Sequence, residues 1–166
     1  MINNQVAPFE FDTIMLGGEK ESTTESLCGR VVHGRKMGRQ LGFPTANVDA
    51  DAVLLANGVY GVHVVVKGKQ YRGIMNVGVK PTFGSTLKKT FEVHLLDFSD
   101  DLYGEFIECQ LLFKVREEQK FASIDLLKKQ ITEDIYCAIE KFKLLEVLFK
   151  DGKRETFRKK QISESA

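Results

Sequence analysis

Ile107-Glu108-Cys109-Gln110-Leu111-Leu112-Phe113-Lys114-Val115, followed a few residues later by the stretch that begins at Ser123, decides the fold. In the first segment Ile107, Cys109, Leu111, Phe113 and Val115 share one side of an extended chain, while Glu108, Gln110 and Lys114 share the other. A period of two is the mark of an antiparallel strand with one face in a core and one in water. After Ser123, a good N-cap residue, the period changes. Ile124, Leu127, Ile131, Ile135, Ala138, Phe142, Leu145 and Phe149 step by three or four and draw one apolar stripe down a long helix.

Upstream, the strand signals are closely spaced. Gly58 to Val66 is rich in β-branched and aromatic residues, Lys67-Gly68 reads as a turn, and Lys69 to Val77 forms a second strand, so the pair predicts a hairpin. From Lys89 to Phe98 the chain alternates again, with Phe91, Val93 and Leu95 on one face and Thr90, Glu92 and His94 on the other. Several short strands followed by one helix with a stripe to bury predict a small β-barrel carrying a C-terminal helix. There are no internal repeats. Residues 1–26 mix polar and acidic side chains around one short apolar patch and read as a leader, flexible or adding one strand. Residues 150–166 form a basic and then polar tail, either a frayed solvated end or an arm for RNA or another partner.

The chain has 166 residues, enough for one domain with a real core. Its formal net charge of +1 argues against binding that depends on a broad basic surface, so any anion site must be local. No apolar run approaches the roughly 20 residues of a membrane span, and the N-terminus lacks the pattern of a secretory signal. Cys28, Cys109 and Cys137 are odd in number and far apart, which suits free thiols in a reducing cytoplasm rather than a disulfide framework or structural zinc. Cys109 falls on the apolar side of its strand and is expected to act as a small buried hydrophobe.

Between Gly29 and Asn47 the sequence GRVVHGRKMGRQLGFPTAN combines a short strand with a loop holding Gly34, Gly38 and Gly42 and the cations Arg35, Lys36 and Arg39. The rigid segment Pro44-Thr45-Ala46-Asn47 follows. Glycines let backbone N–H groups approach anionic oxygens, and proline fixes the approach of a hydroxyl that can reach a metal ion. The loop is not a P-loop, because Gly34 and Gly38 are four apart with Arg39 following, where G-x-x-x-x-G-K-S/T needs five and a lysine. From local chemistry alone it is either a phosphate loop or a solvated turn, and Thr45 and Asn47 either serve a metal or satisfy the turn after Pro44. Glu92, opposite the apolar face of its strand, points either to solvent or into a cavity.

The pattern G-x-V-x-x-G-x-x-x-G-R-x-L-G-F-P-T-A-N, met residue for residue, resembles the signature of riboflavin kinases, including the kinase half of bacterial bifunctional enzymes. Further matches follow in order. They are Asn57 to Gly61, Met75-Asn76-Val77-Gly78 with Pro81-Thr82-Phe83, Phe91-Glu92-Val93-His94, Leu102-Tyr103-Gly104, and Val115-Arg116 with Phe121. The resemblance runs from about Leu27 to Phe142. It implies a six-stranded antiparallel Greek-key barrel with a long C-terminal helix packed on it, a kinase domain over 27–149, and a cytoplasmic, monomeric enzyme. That enzyme would move the γ-phosphate of ATP to riboflavin with magnesium, giving FMN.

By the same resemblance Glu92 is the general base. Gly34, Lys36, Gly38, Arg39, Gly42, Pro44 and Thr45 hold ATP and its phosphates, and Thr45 and Asn47 hold Mg2+. Arg116 and Phe121 close over the flavin. Lys36 and Arg39 are otherwise surface charges, and His94 either orients Glu92 or is structural, as His33 and His63 are. The only histidines are these three, with no H-x-G-H-type motif, so the expected product is FMN without FAD. The rival expectation is a flavin-sensing or RNA-binding regulator built on the same fold.

Overall fold

The computed structural model describes residues 25–34, 37–50, 55–81 and 87–163, with the side chains of 37, 81, 87 and 150–163 excepted. Of the leader expected over residues 1–26, residues 1–24 lie outside the described residues, as does the phosphate contact of Lys36, while Ser26 already opens the first strand. The described residues hold six strands: β1 (Ser26–Val32), β2 (Ala46–Asp49), β3 (Gly58–Val66), β4 (Lys69–Pro81), β5 (Leu87–Leu95) and β6 (Phe106–Arg116). Two helices accompany them, α1 (Met37–Leu41) and α2 (Ile124–Ser163). The strands are all antiparallel to their neighbours and close a barrel in the order β1-β2-β5-β4-β3-β6, with β6 returning to β1. The meander β3-β4-β5, with β6 coming back beside β3, is a Greek key.

Alternation decides which side chains fill the barrel. On β5, Phe91, Val93 and Leu95 are buried while Glu92 and His94 are half-buried on the outer face; on β6, Ile107 and Cys109 are fully buried. With Val62, Val64, Met75 and Val77 they form one close-packed interior. Burying a side chain such as Phe91 contributes about 1.5–3 kcal/mol, so the inner face alone fixes the register. The β3–β4 hairpin turns through Lys67 (φ 50°) and Gly68 (φ 72°), two successive left-handed residues whose twist matches that of the strands they join.

Four local features depart from the sequence-based reading. On β6 the expected single face of Ile107, Cys109, Leu111, Phe113 and Val115 holds only to Leu111: register shifts against β3 set Phe113 opposite Gly61, whose Cα it covers, on the other face from Leu111 opposite Val62. β4 runs past Val77 to Pro81, because Gly78 and Val79 keep pairing with Thr90 and Lys89. β5 stops at Leu95 instead of Phe98: Asp97 adopts φ 55° in the turn that follows, and Phe98 leaves the sheet to meet the Tyr71 ring edge-on, 5.0 Å between centroids. The glycine-rich loop contains α1, a single helical turn or so, closed where Gly42 takes φ 88°.

Barrel and C-terminal segment form separate compact units, residues 1–118 and 119–166. Ser123 caps α2, its hydroxyl accepting from the Leu126 N–H at 3.2 Å and its carbonyl from the Leu127 N–H at 3.1 Å. Of the apolar stripe, Ala138 and Phe142 are buried and Ile124 and Phe149 exposed. The helical backbone continues beyond Phe149 to Ser163, through most of the segment read as a tail.

Candidate active site

Three adjacent strands set a polar row across the outside of the barrel. Asn47 on β2 lies opposite Glu92 on β5, and Glu92 lies opposite Asn76 on β4. Residues directly opposite share a face, with Cβ atoms about 4.5–5.5 Å apart, so the amide, carboxylate and amide stand side by side. Glu92 thus points to the outer surface and not into the barrel. Its Oε1 accepts from Lys80 Nζ at 2.9 Å, an ion pair across the β4–β5 ladder in which the two side chains are 43% and 32% exposed. Neither Asn76 nor Lys80 was assigned a role from sequence. The signal for Asn76 was its parity with Glu92, legible only once the register is known.

The glycines of the preceding loop serve the side chains of Thr45 and Asn47. A Cβ on Gly34 would overlap the Asn47 amide, and one on Gly38 would overlap the Phe43 carbonyl oxygen and stand 3.0 Å from Thr45 Oγ1. The Phe43 N–H meanwhile donates to the Gly38 carbonyl at 2.8 Å. The chain therefore folds back on itself so closely that only hydrogen fits at either Cα. Thr45 and Asn47, two apart in extended chain, are held from behind by these contacts, and Asn47 sits in β2 rather than in a turn after Pro44.

Beside Thr45 opens a cavity of about 320 Å3. Val31, Ala46, Val93, Leu95, Phe98 and Leu102 give it an apolar floor, and Arg39, Pro44, Thr45, Ser99, Asp100, Asp101 and Tyr103 a polar rim. The segment forming its far wall is anchored to β1. The Gly104 N–H donates to the Val31 carbonyl at 2.9 Å, the Val31 N–H to the Glu105 carbonyl at 2.8 Å, and the Tyr103 ring lies 3.9 Å from that of His33. The Asp101 carboxylate accepts from the Tyr103 N–H at 3.0 Å. Arg39, Pro44 and Thr45 thus meet at one opening. The acidic wall from Asp100 to Tyr103 comes from a distant part of the sequence and was missed, although Leu102-Tyr103-Gly104 belonged to the family pattern.

His94 does not reach Glu92. Its Nδ1 donates to the Pro44 carbonyl at 2.7 Å, and its ring meets Phe43 edge-on at 6.0 Å. At the far end of β6 the Arg116 guanidinium donates to the Glu117 carbonyl at 2.8 Å, and the Glu117 carboxylate, hydrogen-bonded to Lys114, holds that ammonium above its ordinary pKa. Glu118 turns back over β4: its Oε1 lies 3.1 Å from where a Gly78 Cβ would be, and its Oε2 accepts from Asn57 Nδ2 at 2.8 Å. Asn57 in turn accepts from Lys89 Nζ at 2.5 Å. Arg116 belongs to the barrel unit, whereas half-buried Phe121 belongs to the helical one.

Among the described residues no three His, Cys, Asp or Glu side chains gather into a metal-binding group. Thr45 Oγ1 and the Asn47 amide oxygen are neutral hard donors of the kind magnesium accepts beside phosphate oxygens. Gly34 and Gly38 leave the room that the two side chains occupy, so the chemistry of the donor pair is compatible with such an ion. Among the described residues no helix is long and apolar enough to cross a membrane. Burial raises the Cys109 thiol pKa to about 12, and Cys28 and Cys109 are free thiols.

Comparison with known proteins gives this geometry a family. The riboflavin kinase family model, Flavokinase, matches residues 22–142. The RNA-binding riboflavin kinase RibR of Bacillus subtilis (strain 168) is 48% identical over 137 residues, which are 82% of this chain and 60% of that protein. The bifunctional riboflavin kinase/FMN adenylyltransferase of Escherichia coli (strain K12) is 47% identical over 121 residues, 72% of this chain and 38% of the relative. A crystal structure described as that of a macrolide-efflux protein from Streptococcus pneumoniae superposes with a TM-score of 0.63 at 36% identity, covering 68% of this chain and 38% of that one. The chain thus spans less than two thirds of each of these proteins. With the family model covering the whole barrel and the start of α2, the chain belongs to the riboflavin kinase family.

Proposed function

We propose that the chain is a riboflavin kinase that transfers the γ-phosphoryl group of ATP to the 5′-hydroxyl of riboflavin, giving FMN and ADP. The observation that carries this reading is the outer-face row Asn47–Glu92–Asn76, which begins two residues from Thr45, a lining residue of the 320 Å3 cavity. In this reading the cavity takes the nucleotide, with Arg39 matching phosphate charge at the rim and the apolar floor receiving the base. Gly34, Gly38 and Gly42 act by shaping the loop, and Pro44 by fixing the entry to Thr45. Lys36 would add charge to the same phosphates.

Glu92 Oε1 is engaged by Lys80, which leaves Oε2 for the acceptor hydroxyl. The carboxylate takes the hydroxyl proton as the oxygen bonds to the γ-phosphorus, and the bond from that phosphorus to the bridging oxygen breaks to release ADP. Phosphoryl transfer asks little proton affinity of its base because the transition state is loose, so holding the hydroxyl in line matters more. Thr45 and Asn47 would hold Mg2+ against the phosphates, and the ion supplies charge neutralisation there. The flavin would lie along the outer face of β4 and β5 near Glu92, with Arg116 closing over it.

The test is incubation of the purified chain with riboflavin, ATP and magnesium, followed by chromatography. FMN accumulating without FAD is expected, and absence of enzyme-dependent FMN refutes the reading. A second reading, a flavin-sensing or RNA-binding regulator, draws on the likeness to the RNA-binding riboflavin kinase of Bacillus and on the basic run between Lys153 and Lys160. The presence of Thr45, Asn47 and Glu92 together favours the kinase.

A further inference from the structure

The main-chain ladder between β2 and β5 begins at Ala46 opposite Val93. One step earlier stands Pro44-Thr45, where the ladder has ended and Pro44 has no N–H to offer. The Pro44 carbonyl is met instead by a side chain, His94 Nδ1 at 2.7 Å. A carbonyl oxygen only accepts, so the bond requires the proton on Nδ1. The imidazole is steadied by the edge of Phe43, 6.0 Å away, on the residue before Pro44. Thr45 is therefore pinned on both sides, by the ladder at Ala46 and by His94 at Pro44, while Gly38 lets the loop close to within contact of its hydroxyl.

We infer that His94 is a positioning residue for Thr45: it extends the β2–β5 ladder by one side-chain hydrogen bond and so fixes the hydroxyl that faces the nucleotide. This rests on the kinase reading, and it assigns His94 to the nucleotide side of the reaction rather than to Glu92 or the flavin. A group held by two fixed points loses little freedom on binding, whereas a hydroxyl on a loose segment must be ordered each time.

The test compares two isosteric substitutions. His94→Asn keeps an N–H donor near the position of Nδ1, and His94→Leu has the same shape without it. Kinetics are measured with ATP and magnesium varied at saturating riboflavin, and riboflavin binding is followed by quenching of its fluorescence. His94→Leu is expected to lose at least about tenfold in kcat/KM for magnesium-ATP, with riboflavin affinity within about twofold of the parent, and His94→Asn to regain most of the loss. His94 is half-buried on the outer face, outside the interior packing, so both variants are expected to melt close to the parent. Unchanged kcat/KM in His94→Leu, no difference between the variants, or a parallel fall in riboflavin affinity each overturn the inference. An inactive parent overturns the kinase reading instead, so the two failures are told apart by the unmutated chain.

Discussion

Replacing Gly38 by alanine sets two effects of opposite sign against each other. Gly38 lies within α1, and helix propensity alone would make Gly38→Ala stabilising by up to about 1 kcal/mol. The added methyl, however, would overlap the Phe43 carbonyl oxygen and come within 3.0 Å of Thr45 Oγ1 and 3.3 Å of its Cγ2. The first obstacle is backbone, which cannot swing aside as a flexible side chain can. Relief requires the 38–43 turn to open by roughly an ångström, to restore ordinary contact distances.

Opening the turn strains or breaks the Phe43 N–H bond to the Gly38 carbonyl, a loss of about 1 kcal/mol, on top of about 1–3 kcal/mol for the overpacking. The steric effect wins, and Gly38→Ala is expected to be net destabilising by about 1–3 kcal/mol in urea melts. Because the displaced neighbour is Thr45, kcat/KM for magnesium-ATP should fall by about two orders of magnitude, the usual consequence of an ångström of misplacement. Gly68→Ala provides the control: at φ 72° with nothing within 4 Å of its Cβ position, it strains the β3–β4 turn by about 1 kcal/mol and should leave kinetics unchanged. A Gly38→Ala protein as stable as the parent with an unaltered KM for magnesium-ATP would refute the close-approach argument.

Glu92→Gln keeps the shape of the side chain but cannot take a proton, and should lower turnover by at least about a hundredfold in a folded protein; near-normal turnover removes Glu92 as an important base. Thr45→Ala should weaken magnesium-ATP binding much more than riboflavin binding by calorimetry, whereas equal losses point to collapse of the segment. Cys109 should resist alkylation at pH 8 in the folded protein. With its thiol at about 12 against an ordinary 9.0, its thiolate fraction is lower by about three powers of ten than that of an ordinary thiol, and peptide mapping should find label on Cys109 only after unfolding. The raised pKa also carries a stability term: it is fully present below pH 9.0 and is lost as pH rises towards about 12, so Cys109→Ala should flatten part of the alkaline fall in melting temperature.

Alternation on β5, and on β6 as far as Leu111, made the inner faces legible before any coordinates, because a buried face tolerates only one parity; the bulges of β6 against β3, which turn Phe113 to the other face, left no mark in that alternation. The turn at Lys67-Gly68 and the cap at Ser123 were legible for the same local reason: their chemistry lies within a few residues. The row Asn47–Glu92–Asn76 was not, since it depends on the registers of two long-range pairings that no single segment contains. Nor was the ion pair between Lys80 and Glu92, because Lys80 lies beyond Val77, where the strand was expected to end. The glycines of the loop drew attention to phosphate, while the structure gives Gly34 and Gly38 a nearer reason, the side chains of Asn47 and Thr45.

The seam of the barrel joins its first strand to its last, with Leu27 opposite Cys109 and Ser26 opposite Gln110. During synthesis, β1 emerges first and must wait for nearly the whole barrel sequence before its β6 partner exists. The meander β3-β4-β5 consists of sequence neighbours and can zip locally, whereas closure carries the largest loop entropy and comes last. Refolding on the slow, millisecond-to-second scale of non-local β topologies follows, limited by closure rather than by the hairpins. Until that step the edges of β1 and β6 offer unpaired backbone groups to other chains, so the nascent protein is most prone to aggregate just before its barrel shuts, and least so afterwards, when each of the six described strands is paired on both sides.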